Sequence, residues 1–307
     1  VLTLPERVDI REVGPRDGLQ NEDPVPVEAR VRLVDALSRT GVRRIETGSF
    51  VRPDAVPPMA GSEEVFERVA RVPGVRYCAL VPNAKGAERA LAASANEIDV
   101  VVSASETHNQ ANVRRSVDES VSEIRRVVDL AGEHTTPVEA VISTAFGCPY
   151  EGDVEPARVS ALARRLLDDA GVDTVCLGDT TGMATPGRVE AVLDALGAAG
   201  VAPDAVGMHF HDTRGTGLAN ALAALERGVV RFDASVGGLG GCPYAPGASG
   251  NIATEDLVHM LEDMGVDTGI DLDALLAAAR LAEELVGRTL PGQILRAGPR
   301  TRLATRA

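Results

Sequence analysis

Along the chain, short apolar runs rich in β-branched residues alternate with longer amphipathic runs rich in Ala, Leu and Arg. The apolar runs fall at 7–13, 42–47, 75–81, 97–102, 137–144, 172–178, 204–210 and 230–236, and they predict strands. The amphipathic runs near 27–40, 62–71, 83–94, 117–133, 156–170, 186–199, 214–227 and 252–264 predict helices. One further helix is expected over 271–287. Strand alternating with helix implies parallel pairing through βαβ crossovers. Eight such units suit a (β/α)8 TIM barrel. A doubly wound open sheet is the competing α/β arrangement, but it normally carries a GxGxxG turn after its first strand. Here that turn reads GPRDGLQ (14–20), which favours the barrel. The expected organisation is one catalytic domain over 1–287 and a loosely ordered tail over 288–307, rich in Arg, Gly and Pro.

Composition narrows the partners. The 307 residues are 44% hydrophobic and 25% charged, a normal balance for a globular chain. Aromatics make up only 3%, so Val, Leu, Ile and Ala must fill the core. The net charge of −14 makes nucleic acid and anionic membrane surfaces poor partners. No apolar run approaches the roughly 20 residues of a membrane span, and no signal peptide is visible at Val1–Glu6. Four cysteines are too few for a disulfide scaffold, so a reducing, cytoplasmic setting is expected. Lys85 is the only lysine, an oddity that arginine-biased codon usage explains only in part.

In a TIM barrel the chemistry sits just past the C-terminal ends of the strands. Those positions hold Arg16 and Asp17, then Glu46 and Ser49, Asn83 and Lys85, Ser105 to Asn112, Cys148, Asp179, His209 and His211, and finally Cys242 and Asn251. The opposite ends offer mostly Gly, Pro, Val and surface charge, an asymmetry that favours an enzyme over a structural barrel. His209 and His211 stand at i and i+2 on one strand, so their imidazoles point to the same side and can meet one ion. Either alone reads as a satisfied core or surface residue; the pair reads as a metal site. Asp17, from the strand that closes against the eighth, and Asn251 would complete two nitrogen and two oxygen donors. That set suits Mg²⁺ or Mn²⁺ better than structural zinc.

Arg16 reads either as a structural ion-pair partner of Glu46 or as a guanidinium aimed at a developing oxyanion, and both hold if Glu46 orients it. Asp179 reads as a reactant or as a carboxylate that orients a histidine. The glycine-rich stretch 238–251 can close over a ligand, which would bring the Cys242 thiol to the substrate. Cys78 and Cys176 lie in strands and read as buried apolar residues, and Cys148 as a loop-packing one.

At these positions the chain resembles the 3-hydroxy-3-methylglutaryl-CoA lyases of the DRE-TIM metallolyase superfamily. The resemblance rests on EVGPRDGLQNE (12–22), IETGSF (45–50), PNAKG (82–86), GCPYEG (147–152), LGDTTG (177–182), HFHDT (209–213) and the long SVGGLGGCPYAPGASGNIATEDLV (235–258). It implies that Asp17, His209, His211 and Asn251 bind a divalent cation, Mg²⁺ or Mn²⁺. It implies Arg16 as the catalytic arginine, Cys242 as a lid thiol, and Glu46 and Asp179 as supporting acids. Gln20, Lys85 and Asn112 join Arg16 on the substrate side, with Lys85 and Asn112 along the CoA chain. The partner is then an acyl-CoA, the assembly a homodimer, and the reaction a retro-Claisen cleavage to acetyl-CoA and acetoacetate. The base is left open between Asp17, a histidine and a water. The chain departs from the family at Gly48, where Thr is frequent, at 51–61, and at His108 and Gln110, often Phe and Lys. A lyase for a different 3-hydroxy-3-substituted-glutaryl-CoA is one rival reading, and a condensing enzyme of the isopropylmalate synthase type another. That second type carries HxHND where this chain has HFHDT (209–213). A non-catalytic acyl-CoA-binding barrel is the rival from outside enzymology.

Overall fold

Eight parallel strands close into one barrel: β1 (Asp9–Glu12), β2 (Arg44–Ser49), β3 (Arg76–Leu80), β4 (Glu97–Ser103), β5 (Val138–Ser143), β6 (Thr174–Asp179), β7 (Val206–Phe210) and β8 (Arg231–Ala234). Each pairs with its sequence neighbour, and β1 pairs back to β8. The computed structural model describes residues 4–241 and 250–303. Helices α1 (Val27–Leu37), α2 (Ser62–Arg68), α3 (Ala84–Ala92), α4 (Glu106–Val113), α5 (Val117–Glu133), α6 (Pro156–Arg164), α7 (Pro186–Ala198), α8 (Gly217–Glu226), α9 (Thr254–Asp263), α10 (Leu272–Val286) and α11 (Gln293–Ala297) surround it. The expected TIM barrel and its extra C-terminal helix, α10, are both present.

Local chemistry explains the boundaries. Ser116 and Glu119 form a reciprocal capping box that starts α5. Asp271 caps α10, and Gly287 ends it in a left-handed conformation. The sequence pattern predicted nothing between 95 and 116 except strand, yet α4 lies there. Its eight residues are mostly polar and give no apolar stripe; Ser105 caps it and Arg114, at φ 57°, ends it.

Within the expected tail, the stretch 290–294 is anchored to the barrel, whereas 300–303 is exposed. Leu290 is fully buried, the Gly292 amide donates to Gly237, and the Asp256 carboxylate accepts the amides of Gln293 and Ile294. A segment anchored by one apolar side chain and a few backbone bonds shows no periodicity to read. Residues 304–307 of the expected tail lie outside the described residues.

Candidate active site

The rim begins with the turn that follows β1. Residues Gly14–Gly18 form a wide helical turn that presents Arg16 and Asp17. The fully buried Glu12 shapes it. One Glu12 oxygen accepts the amides of Gly14 and Val236, at 2.7 and 2.8 Å, and the other accepts the Thr254 hydroxyl at 2.6 Å. One carboxylate therefore ties the loop after β1 to the loop after β8. Burial raises its pKa to about 7, against the pull of those three donors.

Asp17 is the centre of the rim. Its Oδ1 accepts from Gln20 Nε2 at 2.8 Å and Arg16 Nη1 at 3.0 Å, and its Oδ2 accepts from Asn251 Nδ2 at 2.7 Å. Burial works against its ionisation, but Arg16, His209, His211 and the Asn251 bond hold its pKa down to about 2. His209 and His211 project together from β7 and the residue beyond it, with ring centroids 5.2 Å apart. His211 bridges backbone to Asn251, which places the carboxamide beside the imidazoles. Burial, and then His209, lower the pKa of His211 to about 4.

The donor set fits a hard divalent ion. Each histidine Nε2 stands 3.9 Å from Asp17 Oδ2. That is too long for a hydrogen bond. The ligand atoms of Asp17, His209 and His211 all lie within 4.8 Å of one another, so these three side chains would hold one divalent ion. Asn251 donates through Nδ2 to Asp17 and to the Leu239 carbonyl, which leaves Oδ1 as its acceptor. Two glycines make this approach possible. A Cβ on Gly240 would meet Asn251 Nδ2 at 2.6 Å, and one on Gly250 would meet the Gly240 carbonyl oxygen at 2.1 Å; both have φ near +100°.

Arg16 extends from the same turn, and its Nη2 lies 2.7 Å from Glu46 Oε1. Burial opposes its charge, but Glu46 and Asp17 raise its pKa, so the guanidinium is permanently cationic. Its Nε and the Glu46 Oε2 are buried without a hydrogen-bond partner among the described residues. A cavity of about 950 Å³ opens over this rim, lined by Arg16, Asp17, Gln20, Ser49, His209 and His211 among others. Asn112, on α4, lines its mouth.

Other expected residues fall elsewhere. Lys85 is exposed at the start of α3 and does not line the cavity. Asp179 ends β6, where its Oδ1 accepts the amides of Met183 and Ala184 and so folds the loop beyond. Burial raises its pKa to about 6. Cys242 and most of the expected lid stretch lie outside the described residues. Gly48, at a shift in β2 register, abuts Ser62: a Cβ there would meet Ser62 Oγ at 2.8 Å, so a Thr would require Ser62 to shift.

The sequence reading missed the buried charges below the rim, among them Glu12, Arg11 and Asp233. The available signal was charge inside otherwise apolar strands, in the runs DIRE (9–12) and RFDA (231–234). In a closed barrel such residues must face either the interior or a covering helix.

Fold and rim together define a TIM-barrel lyase. The chain belongs to the HMGL-like family, whose profile matches residues 7–282. It is 47% identical over 295 residues to hydroxymethylglutaryl-CoA lyase of Bacillus subtilis, covering 96% of this chain and 98% of that one. It is 45% identical over 289 residues to the 3-hydroxy-3-isohexenylglutaryl-CoA/hydroxy-methylglutaryl-CoA lyase of Pseudomonas aeruginosa, covering 94% and 96%. Among solved structures, an HMG-CoA lyase from Acinetobacter baumannii in complex with coenzyme A and 3-methylmalate superposes with a TM-score of 0.93. Its identity is 44%, with 98% of each chain covered. The rat relatives include one named cytoplasmic and one named mitochondrial. Among the described residues no helix is long and apolar enough to cross a membrane.

Proposed function

We propose that this protein is a divalent-cation-dependent carbon–carbon lyase that cleaves 3-hydroxy-3-methylglutaryl-CoA to acetyl-CoA and acetoacetate. The observation that carries the reading is the convergence of Arg16, Asp17, His209 and His211 on one cavity wall. The names of the relatives and the coenzyme A bound to one of them support the substrate class. Asp17, His209, His211 and Asn251 would hold the cation, Mg²⁺ or Mn²⁺. Bound there, it would lower the pKa of the substrate's tertiary hydroxyl and orient the neighbouring carboxylate.

The protein supplies the rest. Retro-Claisen cleavage passes the hydroxyl proton to a base, which the residues leave open between Asp17, a histidine and a water, breaks the C2–C3 bond and leaves its electron pair as a thioester enolate. Arg16 donates to the thioester oxygen as that charge develops, and Glu46 fixes its guanidinium from behind. Gln20 braces both Asp17 and Arg16, at 2.8 and 3.4 Å. The enolate carbon then takes a proton to give acetyl-CoA, a step the family resemblance assigns to the Cys242 thiol. Asp179 supports the site through the loop after β6. Asn112 is placed for the CoA chain, and Lys85 only for its outermost part. A homodimer and a cytoplasmic location complete the proposal on the resemblance.

The test is coupled detection of acetoacetate from purified protein, hydroxymethylglutaryl-CoA and Mg²⁺. No product with wild-type protein overturns the reading. A larger 3-substituent is the second reading, favoured by the size of the cavity and by the name of the Pseudomonas relative. Comparing kcat/KM for methyl and longer 3-alkyl substrates decides between them.

A further inference from the structure

The two rim imidazoles share one side of the barrel, but their second nitrogens have different surroundings. His209 Nδ1 lies 3.1 Å from Asp233 Oδ2, whereas His211 Nδ1 is buried with no hydrogen-bond partner among the described residues. Asp233 is itself held. Arg11 donates from Nε to Asp233 Oδ1 and from Nη2 to Asp233 Oδ2, both at 2.8 Å, in a two-pronged pair. The third Arg11 nitrogen contacts Asp99 at 2.5 Å and Glu139 at 2.7 Å, so the guanidinium cannot turn away.

Strand register makes this arrangement a property of the barrel. Asp233 is the Cα partner of Arg11 on β1 and of His209 on β7, so the three residues occupy one rung across β1, β8 and β7. Residues on one rung of parallel strands point the same way. All three line the same cavity. A carboxylate gripped by an arginine can only accept, so the proton between Asp233 and His209 sits on the histidine Nδ1. In the neutral ring the lone pair is then on Nε2, the atom that faces Asp17.

We propose that Asp233, locked by Arg11, is the positioning residue of the cation site, fixing the tautomer and ring orientation of His209 while His211 is left to adjust. This rests on the reading that Asp17, His209 and His211 hold a divalent ion. It makes the paired histidines unequal: one a rigid ligand set by the barrel frame, the other a compliant one.

The test compares Asp233→Asn with Asp99→Asn. Both variants disturb the same arginine, but only Asp233 touches His209. Mn²⁺ affinity is measured by titration calorimetry on the full-length proteins without substrate. The expected result is a 10–100-fold loss for Asp233→Asn, the range typical of removing a partner behind a metal-bound histidine, with a clearly smaller loss for Asp99→Asn, which leaves the two-pronged Arg11–Asp233 pair and the Asp233–His209 contact in place. Equal losses, or no loss in Asp233→Asn, overturn the proposal. Histidine ¹⁵N spectra of the Mg²⁺-loaded wild-type protein give a readout that needs no variant to fold. A slowly exchanging Nδ1–H on His209 supports the assignment, and a bare Nδ1 overturns it. If the wild-type protein takes up no Mn²⁺, the metal reading itself falls, an outcome separate from either of these.

Discussion

Two charged layers lie one above the other inside the barrel, built from the same residue types and finished differently. The lower layer joins Arg11, Arg44 and Arg231 to Glu97, Asp99, Glu139 and Asp233, and nearly every polar atom in it meets a partner. Among the described residues only Asp99 Oδ2 and Arg231 Nε are left over. The upper layer, at the rim, is less complete: Arg16 Nε, Glu46 Oε2 and His211 Nδ1 are buried without a partner. A buried polar atom left unpaired costs about 1–3 kcal/mol. The lower layer bears that cost at two atoms among its seven charged residues, the rim at three among Arg16, Asp17, Glu46, His209 and His211. The difference sets charge that holds a shape apart from the charge to which the proposed function assigns a ligand.

The comparison can be broken at several points. Chelation should hit the rim hardest: dialysis against EDTA abolishes acetoacetate formation and added Mg²⁺ or Mn²⁺ restores it, while full activity in stripped protein removes the cation from the scheme. Arg16→Gln should lower kcat by roughly 10²–10³ with little change in KM, as for loss of an oxyanion donor. An effect confined to KM would return Arg16 to a structural role. Arg11→Met should act chiefly on stability, beyond any loss at the cation site through Asp233, costing about 3–5 kcal/mol because it strands buried carboxylates. Urea unfolding measures it, and a midpoint equal to wild type would dissolve the distinction between the layers.

Glu255 sharpens the contrast through pH. Burial raises its pKa from the ordinary 4.5 to about 8, against the Gly237 amide that donates to it. A folded-state pKa above the unfolded one means the folded protein binds the extra proton, so the contribution is full below pH 4.5 and lost as pH rises through about 8. Glu255→Gln should therefore melt above wild type at pH 9 and not at pH 5; parallel melting curves at both would contradict it. The smallest effect is expected at Lys85, exposed and off the cavity wall, where Lys85→Ala should alter KM by no more than about twofold.

Much of this was legible in the chain. The alternation of runs announced eight βα units, and the position of polar residues past each strand located the rim. His209 and His211 were readable because a spacing of two has a fixed meaning on a strand. Arg11 and Asp233 were not, because their partners lie 222 residues apart and meet only when β1 closes on β8. Helix α4 escaped because its polar residues form no apolar stripe, and part of its support is also distant in sequence: the Glu151 carboxylate, 46 residues from Ser105, accepts the Ser105 hydroxyl and the Thr107 amide.

Glu12 carries a consequence for how the molecule comes into being. By clasping the turn after β1 to Val236 and Thr254, it seals the seam where β1 closes on β8. Asp17 and Asn251 stand on either side of that seam. During synthesis the turn after β1 waits for its counterpart, so the proposed donor set would be complete only once Asn251 has been made and the barrel has closed.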